Sequence, residues 1–183
     1  VVIGILFKIG AFPFHMWIPD VYHGSASPVT ALITSAPKVA GFAMAIRLLV
    51  DTMPSLSADW RQLLIIAAFL SMLFGNLIAI AQTNIKRMFA YSSIAHMGYM
   101  SLGLIATTVM GYRAALFYVV IYAMMAVGGF GMIALLSRAG IEAEEISDFR
   151  GLNTRNPWLA FIFLLLLFSM AGIPPTIGFF AKL

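Results

Sequence analysis

Apolar residues in this chain come in long blocks, not in the strict alternation of a half-buried strand. Six blocks can be drawn: Val1 to about Phe14, Pro28 to Val50, Gln62 to Gln82, Ile85 to Thr108, Ala114 to Leu136, and a last one from about Pro157 onward. A helix needs about 20 mostly apolar residues to cross about 30 Å of hydrocarbon, and the middle four blocks meet that length. The pattern predicts an all-α, polytopic transmembrane helical bundle of about six helices, forming one domain over residues 1–183, with the sequence starting and stopping inside helices. In the last block, Gly172-Ile173-Pro174-Pro175-Thr176-Ile177-Gly178 interrupts what an unbroken helix would hold.

Charge falls mainly between the blocks. Asp20 and His23 lie in the first connection, Asp51, Asp59 and Arg61 around the second, Lys86 and Arg87 in the third, and Arg113 in the fourth. The longest connection, Ser137 to Asn156, holds Arg138, Glu142, Glu144, Glu145, Asp148, Arg150 and Arg155. The odd connections carry Lys86, Arg87, Arg138, Arg150 and Arg155. The even ones, with the end of the second block, carry Arg47, Arg61 and Arg113. The bias of Lys and Arg toward the inner face of a membrane places the odd connections in the cytoplasm.

Composition removes the soluble alternatives. Hydrophobic residues make up 62% of the 183 and charged residues 10%, against about 25% charged in soluble domains. A net charge of +4 then needs no nucleic acid partner, and the lipid bilayer is the expected surrounding. With no cysteine, disulfides, Cys-ligated iron–sulfur clusters and thiolate zinc sites within the chain are excluded.

Polar residues inside the blocks carry the functional signal. Lys38 lies about ten residues from either end of its block, roughly 15 Å from each interface at 1.5 Å per residue. That is beyond the reach of a snorkelling lysine. An ionisable group at that depth ordinarily faces a bundle interior or water and marks a transport path. Pro37 loosens the helix beside it, and Thr30, Thr34 and Lys38 share one face. A structural reading would bond Lys38 to carbonyls freed by Pro37. Lys8 sits in an apolar run ahead of Gly10 and Pro13, with a snorkelling lysine as its alternative. Lys182 follows the Gly172–Gly178 interruption, and discontinuous helices are typical of midplane ion sites. All seven acidic residues are placed in connections, so a carboxylate partner for these lysines is expected on another segment or subunit. Ser92, His96 and Tyr99 share a face of the fourth block, where His96 is either a proton relay or a packing residue. Asn76 and Tyr122 are weaker candidates, and Gly128, Gly129 and Gly131 suit close helix packing. His15, His23 and Asp20 lack metal-site spacing, and a single well-buried histidine does not make a membrane haem site.

Taken in order, several stretches resemble one known family. Phe7-Lys8-Ile9-Gly10-Ala11-Phe12-Pro13-Phe14-His15-Met16-Trp17-Ile18-Pro19-Asp20-Val21-Tyr22 is similar to the broken seventh helix of subunit N of NADH–quinone oxidoreductase, respiratory complex I. Pro28-Val29-Thr30-Ala31 leading to Ala36-Pro37-Lys38-Val39-Ala40 resembles its eighth helix, and Asn84 to Tyr99 its tenth. Asp148-Phe149-Arg150-Gly151-Leu152, Ser169 to Pro175 and Gly178 to Leu183 resemble the approach to the broken twelfth and that helix itself. The resemblance implies two broken helices within an inverted-repeat, antiporter-like fold, with Lys8 to Pro13 and Ser169 to Pro174 as counterparts at the breaks. It implies that Lys8, Lys38 and Lys182 carry protons, with Thr34 and His96 as relay candidates, and that the acidic partner lies on an upstream helix. NADH, FMN, iron–sulfur clusters and quinone would be bound by other subunits, and this chain would hold no cofactor. Its implied partners are the other membrane subunits of complex I, and its location the cell inner membrane. The family often has an acidic residue where this chain has His23. The rival reading is a subunit of a multisubunit sodium–proton antiporter.

Overall fold

A computed structural model describes residues 1–137 and 142–182. Arg138 and Leu183, counted above, lie outside the described residues. Nine α-helices are described: α1 (Val2–Ile9), α2 (Trp17–Gly24), α3 (Ser27–Ala45), α4 (Ser57–Ile80), α5 (Ile85–Ile105), α6 (Val109–Leu136), α7 (Leu152–Arg155), α8 (Pro157–Ala171) and α9 (Ile177–Lys182). A π-helical stretch (Ile46–Thr52) continues α3, and short 3₁₀ turns occupy Pro54–Leu56 and Ile146–Phe149. Among the described residues the extended pairing is a single antiparallel bridge between Asn84 and Glu145.

The helix starts follow from local chemistry. Asn84, Thr108 and Asn156 each cap the helix that follows, accepting from the amides of Arg87 (3.1 Å), Gly111 (3.0 Å) and Leu159 (3.3 Å). Such caps satisfy donors that the first helical turn leaves unpaired. Pro157 at the start of α8 gives up no hydrogen bond there. Ser27–Thr52, Pro54–Ile80 and Val109–Leu136 are long and apolar enough to cross a membrane. Their outward residues, Ile66, Phe69, Leu77, Ile80 and Met124 among them, are exposed and apolar, while Phe42, Leu64, Ile94, Met97, Val119 and Ile133 are buried. In lipid that arrangement leaves no large apolar surface in water.

Several helices outrun their apolar blocks. α4 begins at Ser57, not Gln62, and α6 at Val109, so Arg113 is helical. Asp20 and Asp59 lie in the first turns of α2 and α4, and Asp51 in the π-helical stretch. These three are therefore not loop residues as expected. Hydropathy marks the hydrocarbon layer, whereas the backbone hydrogen bonds of a helix continue into the polar layer beyond it.

α4 packs along α5, and α3 along α6. A Cβ added at Gly75 would lie 2.7 Å from the Ala95 amide nitrogen, and one at Gly98 2.7 Å from the Ala68 carbonyl. At these two glycines the backbones of α4 and α5 come close together. Of the glycines expected to permit packing, Gly128 and Gly129 face Leu166 and Phe89, whereas Gly131 faces open space.

Both helix breaks have one design. α1 ends at Gly10 (φ 77°), whose N–H reaches the Leu6 and Phe7 carbonyls, while the Ala11 N–H also reaches Leu6. α8 ends at Gly172 (φ 81°), bonded in the same way to Phe168 and Ser169, with the Ile173 N–H reaching Phe168. A left-handed glycine thus satisfies carbonyls that the broken helix would strand. A cis proline follows three residues later, at Pro13 and at Pro175. The counterparts are accordingly Gly10 with Gly172 and Pro13 with Pro175, one residue away from the register expected from the sequence.

Candidate functional site

Lys38 is the centre of the polar interior. It is 2% exposed, and Nζ donates to the Ser93 hydroxyl on α5. The Tyr22 and Tyr122 rings flank it, with centroids 5.6 Å and 5.3 Å from Nζ. Its partner is a side chain on a neighbouring helix, in place of the backbone carbonyls that the structural reading proposed. α3 supplies the lysine, α5 the hydroxyl, and α2 and α6 the aromatic walls.

Thr30 and Thr34 are buried on the same face as Lys38. Their hydroxyls donate to carbonyls of their own turn, Thr34 to Ala31 at 3.0 Å and Thr30 to Ala26 at 3.2 Å. His96 lies three residues beyond Ser93 on α5 and is buried. Its Nδ1 is 2.9 Å from the Tyr118 hydroxyl of α6. The Tyr122 ring centroid is 5.0 Å from the imidazole, so this ring lies close to both Lys38 and His96.

Each of the outer two lysines lines a cavity together with residues of this interior. Phe7, Lys8, Trp17, Val21, Ile33, Pro37 and Lys38 line one of about 420 Å³. A second, of about 330 Å³, is lined by Asn76, Ser92, His96, Tyr99 and Lys182 among others. Lys182 reaches back across its helix break, Nζ donating to the Met170 and Ala171 carbonyls at 3.0 Å each. It also lies 5.1 Å from the Tyr99 ring centroid. Lys8 is on the exposed side of α1. His15, His23 and Asp20 diverge: His15 stacks on Phe12, His23 contacts Glu144 and Asp20 pairs with Arg87.

The sequence reading missed Ser93, Tyr22 and Tyr118. Ser93 adjoins Ser92 about 100° further round α5, and only the placement of the neighbouring helices chooses between them. It also misplaced Lys86, read as a loop charge. Lys86 is in the first turn of α5, 1% exposed, and pairs with Glu142 and, at 3.1 Å, with Glu144. The segment 142–145 lies across the helix ends, with Glu142 also accepting from the Ser27 amide and hydroxyl at 2.8 Å each. Desolvation pushes the Glu142 carboxyl up, but the Lys86 ammonium and the Ser27 donors outweigh it and hold the group below its usual range. These partners are more than 50 residues apart in sequence, and no local pattern announces them. Among the described residues, the ion pairs draw on His23, Arg47, Lys86 and Arg87.

The whole chain, residues 1–183, matches the model of the NADH:quinone oxidoreductase/Mrp antiporter transmembrane family. It is 61% identical to NADH-quinone oxidoreductase subunit N of Thioalkalivibrio sulfidiphilus, over 100% of this chain and 38% of the relative. The chain therefore spans about two fifths of the length of such relatives. Among solved structures, it is similar to a chain of respiratory complex I from Thermus thermophilus with bound aureothin, with a TM-score of 0.83 and 36% identity. That match covers 99% of this chain and 39% of the other. A chain of the Mrp complex from Dietzia sp. has the same fold, with a TM-score of 0.89 at 24% identity, over 99% of this chain and 34% of the other. The chain belongs to the NADH:quinone oxidoreductase/Mrp antiporter transmembrane family.

Proposed function

We propose that this chain is the proton-carrying part of a subunit N-type membrane subunit, moving protons across the bacterial cell inner membrane while other subunits oxidise NADH and reduce quinone. The supporting observation is the placement of the lysines. Lys38 is buried at the centre, one cavity connects its surroundings to Lys8, and a second joins the neighbouring His96 to Lys182. Lys38 passes protons between the two sides. Lys8 exchanges protons with an acidic group on a segment outside this chain, and Lys182 connects to the opposite side. Thr34, His96 and water complete the path. FMN, iron–sulfur clusters, NADH and quinone are held by other subunits of complex I, and the odd connections face the cytoplasm. The paired glycine breaks fit the two repeats of an inverted-repeat fold.

The test uses inverted vesicles containing the full complex, recording NADH oxidation and the pH gradient together in sodium-free buffer. Lys38→Ala is expected to assemble but to lose most of the gradient and the coupled turnover. A normal gradient and turnover in that variant would overturn the proposal. A gradient that requires sodium in the parent complex would favour sodium–proton exchange instead.

A further inference from the structure

One face of α3 carries a continuous file of buried polar groups, Ser27, Thr30, Thr34 and Lys38, each no more than 2% exposed. At 1.5 Å per residue the file is roughly 16 Å long. Its outer end is closed by the segment before α7. Glu142 accepts two hydrogen bonds from Ser27 and pairs with Lys86. Lys86 also donates to the Ser25 carbonyl at 2.8 Å and pairs with Glu144, which contacts His23 at 3.2 Å. On its other side Glu142 lines a cavity of about 630 Å³ together with Asp148, Arg155 and Asn156. Glu142 thus stands between that open cavity and the sealed file.

We propose that Lys86, Glu142 and Glu144 form a gate over the outer end of the file to Lys38. Closed, the two carboxylates hold the 142–145 segment against Ser27 and exclude water. The Lys86 ammonium, neutralised by these two carboxylates, pins the segment in place. Release of the segment uncovers Ser27 and then Thr30. A path with Lys38 at its centre needs such a barrier, because one open to both sides at once would dissipate the gradient. The inference rests on the proposed role of Lys38 but is tested by water access, not by pumping.

Thr30→Cys in the full-length subunit, within the assembled membrane complex, supplies the probe. Labelling uses a membrane-impermeant maleimide added from the side of the odd connections, with the complex retaining Thr30 as background. The introduced thiol is expected to be protected when Glu142 is present, and to label about tenfold faster or more in Glu142→Ala, which leaves Lys86 without one partner. Glu142→Gln keeps acceptor capacity toward Ser27 but loses the charge, so it should label like Glu142→Ala. If Glu142→Ala does not assemble, Lys86→Gln is read in the same way. Rapid labelling with Glu142 intact, equal labelling in all backgrounds, or full protection in Glu142→Gln would overturn the gate. Failure of the Lys38 reading would appear separately, as an undiminished gradient in Lys38→Ala.

Discussion

Lys38 is held by a hydroxyl and two aromatic rings, with no carboxylate of the described segments against it. Ser93 is therefore the side chain whose loss most directly alters its surroundings. Ser93→Ala leaves a buried donor without its partner, a cost of about 1–3 kcal/mol. The expected outcome is an assembled complex whose proton pumping falls about tenfold, measured as the rate of gradient formation. Ser92→Ala, one residue away, is expected to change that rate less than twofold. At Glu142 the sign of the pH dependence follows from its depressed pKa. Its stabilising contribution is complete above the ordinary carboxyl value of 4.5 and is lost as pH falls through a lower value in the folded protein. Hydrogen exchange at the Ser27 amide, corrected for intrinsic rate, should stay slow at about pH 5 and quicken only below 4.5. Quickening near pH 6 would contradict the ion-pair account.

Helix breaks position the outer lysines, and glycine makes each break. Gly172 adopts φ 81°, and a Cβ there would lie 2.8 Å from the Lys182 side chain. Gly172→Ala is expected to cost about 1–2 kcal/mol in backbone strain and to displace Lys182 from the Met170 and Ala171 carbonyls. Gly131 is helical with open space at its Cβ position, so Gly131→Ala should be neutral or stabilise by up to about 1 kcal/mol. The thermal midpoint for loss of the subunit from the complex compares the two. A midpoint lowered equally by both would show that the left-handed conformation at Gly172 carries no special cost. The breaks themselves were partly legible. Gly172 with Pro174 and Pro175 announced an interruption, whereas Gly10 and Pro13 gained that meaning only through the family resemblance. Their common register emerged from backbone geometry, because neighbouring Ala and Gly residues allow more than one alignment of the two stretches.

Across the whole molecule, the order of apolar blocks was readable because lipid imposes a minimum length on each helix. The burial of Lys38 was readable for the same reason, since about ten residues of the block on either side predict that it faces the bundle interior, and it is 2% exposed. Its partners were not, because helix spacing defines a face but not which helix covers it. Ser93 and Tyr118 become evident only once α5 and α6 are placed. The Lys86 cluster was obscured further, since a Lys-Arg pair after a capping Asn reads as a loop charge and its glutamates come from a distant segment. Lys38 and Lys8 line one cavity, His96 and Lys182 line another, and the central claim is that Lys38 must gain and lose a proton. Replacing it by arginine keeps the positive charge and hydrogen-bond donors but removes deprotonation. The measurement is NADH-driven gradient formation in inverted vesicles bearing the assembled Lys38→Arg complex. The account predicts that the gradient falls as far as in Lys38→Ala. A gradient at the parent level would contradict it, and would make Lys38 a fixed structural charge.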